Sequence, residues 1–140
     1  MIKRNQELLN RLNLLSDGLL VFCSFIGAFY IRFYYLQGGV LSLSLSFYIY
    51  TAVGMALVEL IAYCIVGVYQ PQRKRRLRWL CLEVALINFL SIIFLQAFLF
   101  LLKFEDFSRY YILISFLLET LTVCGKHILV RAILWKMRSK

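Results

Sequence analysis

Apolar side chains run along this chain in four long stretches, broken by short polar segments rich in turn formers. The stretches cover about 14–35, 47–69, 80–102 and 109–130, each roughly 22–23 residues. At about 1.5 Å rise per residue each would be roughly 33–35 Å long as a helix, enough to cross a hydrocarbon layer of about 30 Å with some tilt. A spanning segment must satisfy its own backbone N–H and C=O groups, so the pattern predicts helices. The expected fold is all-α: a single polytopic membrane domain, residues 1–140, with a bundle of four transmembrane helices.

The breaks are short. Residues 36–46, "LQGGVLSLSLS", carry a Gly-Gly pair, and the Leu-Ser alternation after it reads as a loop or interfacial segment. Residues 70–79 form a basic turn in which Pro71 bars helix continuation. Residues 103–108, "KFEDFS", make a tight turn, and 131–140 read as an extension of the fourth helix.

Composition agrees with the pattern. The chain is 62% hydrophobic and 16% charged, with a mean hydropathy of +0.78, against about 45–50% apolar and about 25% charged for soluble domains. So few polar residues cannot cover a water-facing surface, which excludes a soluble globular domain. The first apolar run is too long for a signal-peptide core, and no A-x-A site follows it. The net charge of +9 would suggest nucleic acid on a soluble chain. Here the basic residues fall between apolar runs, so anionic lipid headgroups are the expected partner and nucleic acid is not.

Charge also orients the chain. Lys3, Arg4 and Arg11 precede the first span; Arg73, Lys74, Arg75, Arg76 and Arg78 lie in the second break; Lys126, Arg131, Lys136, Arg138 and Lys140 lie at the C-terminal end. Only Arg32, Lys103 and Arg109 fall on the other side. The positive-inside rule then puts both termini and the basic turn in the cytoplasm. Aromatics mark both interfaces: Tyr30, Tyr34, Tyr35, Tyr48, Tyr50, Tyr110 and Tyr111 at the outer ends, and Tyr69, Trp79 and Trp135 at the inner ends.

Few residues can carry chemistry. Glu59 and Glu119 fall near the middle of the second and fourth spans, where a charge costs about 2.5–3.5 kcal/mol on insertion scales. Such a carboxyl is expected to be neutral, paired or facing water. One reading is a proton or cation coupling site; the other is a carboxyl bonded to Asn88, Gln96 or Thr122 across the bundle. Asp17 and Glu83 lie about one turn inside the inner ends of their spans and are expected to pair with Arg11, Arg78 or Lys126. Arg32 can snorkel outward. Ser108 is placed to cap the fourth helix, with Glu105 and Asp106 just ahead of it. His127, the single histidine, reads as interfacial or packed. Cys23, Cys64, Cys81 and Cys124 form no CxxC pair and read as small packing residues. No metal site, cofactor motif, phosphate loop or catalytic set is expected.

The ordered motifs "DGLLVFCSFIGAFYIRF" (17–33), "GVYQPQRKRRLRWLCLE" (67–83), "FSRYYIL" (107–113) and the terminal "HILVR" resemble the N-terminal membrane region of the bacterial polyprenyl-phosphate sugar-1-phosphate transferases. Those enzymes start capsule, exopolysaccharide and O-antigen repeat units on undecaprenyl phosphate. The resemblance singles out Asp17, Arg32, Gly67, Tyr69, Arg73, Arg76, Glu83, Phe107, Ser108 and Arg109. Family members continue into a cytoplasmic catalytic part with an Asp-Glu dyad and Mg²⁺. This sequence ends at Lys140 without a candidate for either, as an excised membrane domain or a free-standing relative would.

The expected function is therefore a non-catalytic anchoring and assembly domain in the bacterial inner membrane. It would hold a cytoplasmic catalytic domain or partner enzyme beside polyprenyl phosphate, alone or as a homo-oligomer. The alternatives are a small transporter or lipid-linked sugar flippase using Glu59 and Glu119, and a structural subunit of another membrane complex.

Overall fold

The computed structural model describes residues 2–36, 43–69, 76–104 and 107–139. Four helices account for nearly all of them: α1, Ile2–Tyr30; α2, Leu45–Val66; α3, Leu77–Leu101; and α4, Arg109–Arg138. A single π turn, Ile31–Tyr35, ends the first helix. All four are long and apolar enough to cross a membrane, and no strand occurs among the described residues. The bundle is thus an all-helical membrane fold. Both α1 and α4 overrun their spans at the same end, where polar residues carry the helix out of the apolar stretch. Four crossings place the start of α1, the end of α2, the start of α3 and the end of α4 on one side; it is called the basic end below.

Helix ends follow local chemistry. Gly67 closes α2 at φ 79°, a left-handed conformation that costs L-residues with a side chain energy. The Gly67 N–H bonds the Tyr63 and Cys64 carbonyls at 3.1 and 3.3 Å, and the Val68 N–H bonds the Tyr63 carbonyl at 3.0 Å. This is a Schellman-type cap. Replacing Gly67 with alanine should lower stability by about 1–2 kcal/mol, read as the shift in a detergent-denaturation midpoint. At the start of α4, Ser108 accepts from the Tyr111 N–H at 3.5 Å.

The helices form a ring. α1 packs against α2 and α4, and α3 packs against the same two, leaving α2 and α4 diagonal to each other. Gly18 lets α1 approach α2 closely: a Cβ there would sit 2.9 Å from Leu60 Cδ1. The buried face of each helix is a narrow stripe, as in Tyr48, Ala52, Met55, Ala56, Glu59 and Tyr63 of α2. Outward faces stay apolar, with Leu19, Ile65, Phe100 and Leu101 exposed. Lipid, which is as apolar as these side chains, tolerates that surface; it also removes the hydrophobic drive for helix association, leaving close contact and polar ties to hold the bundle.

Two tyrosines expected in an interfacial belt lie elsewhere. Tyr48 and Tyr111 are 1% and 0% exposed, in the core. There they join Phe29, Phe33, Phe47 and Phe107 in an aromatic knot with neighbouring ring centroids about 5–6 Å apart. Six rings converge at this level, and the combined contact outweighs headgroup anchoring. Tyr34, Tyr35, Tyr50, Tyr110, Trp79 and Trp135 are exposed at the ends of the bundle.

Candidate functional site

The inner polar residues fall into three layers. The first lies at the basic end, around Asp17. Its carboxylate is wholly buried on α1. Lys126 of α4 places Nζ 2.5 Å from Asp17 Oδ1. The same ammonium donates to the Asn13 carbonyl at 3.1 Å and to Ser16 Oγ at 3.2 Å. His127, the next residue, lies with Nε2 3.3 Å from Asp17 Oδ2. The Gly67 turn brings Tyr69 back against the bundle, where its hydroxyl donates to Asp17 Oδ2 at 2.6 Å. Burial, and then the neighbouring carboxylate, push the Tyr69 phenol well above its ordinary pKa, so it stays a donor.

This arrangement ties α1, the end of α2 and α4 together. Tyr69 therefore serves the tie rather than an aromatic belt. Removing its hydroxyl with Tyr69→Phe should cost about 1.5–3 kcal/mol, the range for hydrogen bonds to charged groups, measurable by reversible unfolding in mixed micelles. Of the partners considered for Asp17, Lys126 is the one it meets. Glu83 sits half-buried near the start of α3, and Arg76 and Arg78 are exposed there beside Trp79. Arg73, Lys74 and Arg75 lie outside the described residues.

The second layer crosses the middle. The Tyr63 hydroxyl donates to Asn88 Oδ1, and Asn88 Nδ2 donates to Thr120 Oγ1 at 3.2 Å. This links α2, α3 and α4. Ser24 Oγ and Thr122 Oγ1 meet at 3.1 Å, linking α1 to α4. Glu59 and Glu119 are both 0% exposed. They project inward from the two diagonal helices and interact with each other. The partners expected for them are engaged elsewhere: Asn88 by Tyr63 and Thr120, and Thr122 by Ser24 and its own helix, while Gln96 is exposed. The ring order explains this, since residues on diagonal helices reach the axis before they reach a neighbour's flank.

The third layer is at the far end. Arg32, on the π turn, donates from Nε to Ser108 Oγ at 3.0 Å and lies over the Tyr110 ring at 5.1 Å. Arg32 is thereby held by α4. Phe107 inserts into the aromatic knot and Arg109 is exposed. Glu105 and Asp106 lie outside the described residues.

Sequence reasoning named Lys126 among the partners of Asp17, but it did not single out Tyr63 and it offered Asn88 to the glutamates instead. One signal was available for Tyr63: it follows Glu59 by four residues, and so shares its helix face. The four cysteines are free; Cys23 and Cys64 are exposed. Among the described residues no group of three or more His, Cys, Asp or Glu could hold a metal.

A family model described as a CoA-binding domain matches residues 64–140. No curated protein and no solved structure matches the chain. The matched residues are the end of α2, the basic turn, α3 and α4. Within the described part of the match, Lys126 is engaged by Asp17. The groove of about 350 Å³ between α2 and α3 is lined by residues such as Phe47, Gly54, Phe94, Phe98 and Phe104, with no cation to meet a diphosphate. Added coenzyme A should leave the thermal transition of the purified chain unchanged.

Proposed function

The chain belongs to the CoA-binding domain family, and on that basis we propose that it is a membrane-anchoring and assembly domain for sugar-phosphate transfer to polyprenyl phosphate. The family's domain is found in proteins related to sugar-phosphate transferases. The observation that carries the proposal is the Asp17 tie. Asp17 and Tyr69 come from two separate motifs of the transferase-like pattern, and they meet in one buried cluster with Lys126. Other motif residues have structural jobs. Gly67 caps α2, Ser108 caps α4 and holds Arg32, and Phe107 fills the aromatic knot.

In this reading the domain works in the bacterial inner membrane with its basic end in the cytoplasm. Exposed Arg76 and Arg78 meet anionic headgroups, each charge contributing about 1 kcal/mol of attraction. A catalytic domain or partner enzyme docks at that face, near polyprenyl phosphate.

The test is reconstitution in nanodiscs containing polyprenyl phosphate, with labelled nucleotide sugar. The chain alone should transfer no sugar phosphate. Pull-down from native membranes should recover glycan-assembly enzymes. Robust transfer by the chain alone, or recovery only with an unrelated complex, would overturn the proposal.

A further inference from the structure

The centre of the bundle holds buried polar atoms without hydrogen-bonded partners. None of the four carboxyl oxygens of Glu59 and Glu119 has a hydrogen-bonded partner among the other described groups. The Tyr111 hydroxyl, also 0% exposed, has none either, and it lies within electrostatic reach of Glu119. Buried polar atoms in native structures are nearly always satisfied, so such a cluster calls for a missing ligand. A proton meets the need with the least space. Two carboxyl groups side by side can hold one proton as an acid–carboxylate hydrogen bond, or two as a pair of reciprocal O–H···O=C bonds. Two adjacent negative charges in this interior would repel each other with nothing to compensate them.

We propose that Glu59 and Glu119 form an exchangeable proton-binding site at the centre of the bundle, open to the basic end through Tyr63 and closed toward the far end by the aromatic knot. This goes beyond anchoring and does not depend on it. The groups facing the pair are few. Tyr63 lies one turn from Glu59 on the buried face of α2, with its hydroxyl bonded to Asn88 and its ring 6.4 Å from that of Tyr69 toward the basic end. Tyr111 on α4 faces it from the other side. The buried stripe of α3 offers only the neutral Asn88 and Ser91 among its polar residues. Beyond Tyr63, the Tyr69 hydroxyl, Asp17 and His127 continue the polar file to the basic end. Beyond Tyr111 stand the rings of Phe29, Tyr48 and Phe107, and past them Arg32 is held by Ser108 and the Tyr110 ring. A proton entering from water at the basic end forms an O–H bond on one carboxylate; leaving, it breaks that bond and returns to water.

Infrared spectroscopy of the chain in nanodiscs tests this. The wild type should show a protonated-carboxyl C=O band that shifts in D₂O. Glu59→Gln and Glu119→Gln should each weaken it, and the double substitution should abolish it. Tyr63→Phe should slow the D₂O shift at least tenfold. Tyr111→Phe should move the band without slowing its exchange. The absence of a band in the wild type, a band that survives the double substitution, a wild-type band that never shifts in D₂O, or Tyr63→Phe exchange at the wild-type rate would each overturn the proposal. The wild-type measurements stand even if a variant fails to fold.

Discussion

Asp17→Asn should destabilise the bundle by about 3–5 kcal/mol, the cost of breaking a buried ion pair by removing one member. The size follows from the partner left behind. Lys126 is only 12% exposed, and Asp17 Oδ1, at 2.5 Å, is its sole anionic contact at this site. Asparagine keeps the shape and can still accept from Tyr69, but it brings no countercharge. The ammonium would then remain in a low-dielectric interior with two neutral acceptors, Asn13 O and Ser16 Oγ. The discriminating measurement is a double-mutant cycle in mixed-micelle unfolding. Asp17→Asn with Lys126→Met removes both charges and should recover most of the loss, because a pair deleted whole costs far less than one cut in half. If Asp17→Asn alone shifts the midpoint by less than about 1 kcal/mol, or if the double variant is simply the sum of the singles, the tie does not hold the basic end together.

Tyr48→Ala should cost a similar amount, about 3–5 kcal/mol, by opening a cavity where an aromatic ring was lost. Tyr48 touches Phe29 and Phe33 from the first helix and its π turn, Phe47 on its own helix, Phe107 just ahead of the fourth helix and Tyr111 on it. Each ring pair adds about 0.5–1.5 kcal/mol beyond area. In lipid, where burying apolar surface between helices gains little over leaving it against acyl chains, lost close contact is the larger part of the penalty. Tyr48→Phe, which keeps the ring, should cost much less than the alanine variant. Unfolding midpoints of the two variants check this; equal effects would point to the hydroxyl instead of the ring.

Much of the architecture was legible in the amino-acid order. Apolar runs of spanning length allow only helices in lipid, and the observed α2, α3 and α4 begin within three residues of the positions read from the pattern. Ser108 could be read as helix punctuation because its chemistry is local, an oxygen next to a free N–H, whereas the apolar pattern ran on past Gly67, where the left-handed backbone ends α2. The layers inside the bundle could not be read this way. Tyr48 and Tyr50 sit two residues apart at the same end of α2, yet one is 1% and the other 76% exposed. Interfacial chemistry treats them alike; only the direction of the neighbouring helices separates them.

The same division applies to the acidic residues. Sequence alone determined that Glu59 and Glu119 lie at mid-depth and that Asp17 lies near a basic end, because depth is set by counting residues along a helix of fixed rise. Which groups they meet was decided by the ring order of the four helices. That order makes α2 and α4 diagonal, turns two carboxyls toward a common axis, and brings Lys126 across to Asp17. Rotation and neighbour choice depend on the fit of whole helix faces to one another, a property of the assembled bundle that no single apolar run encodes.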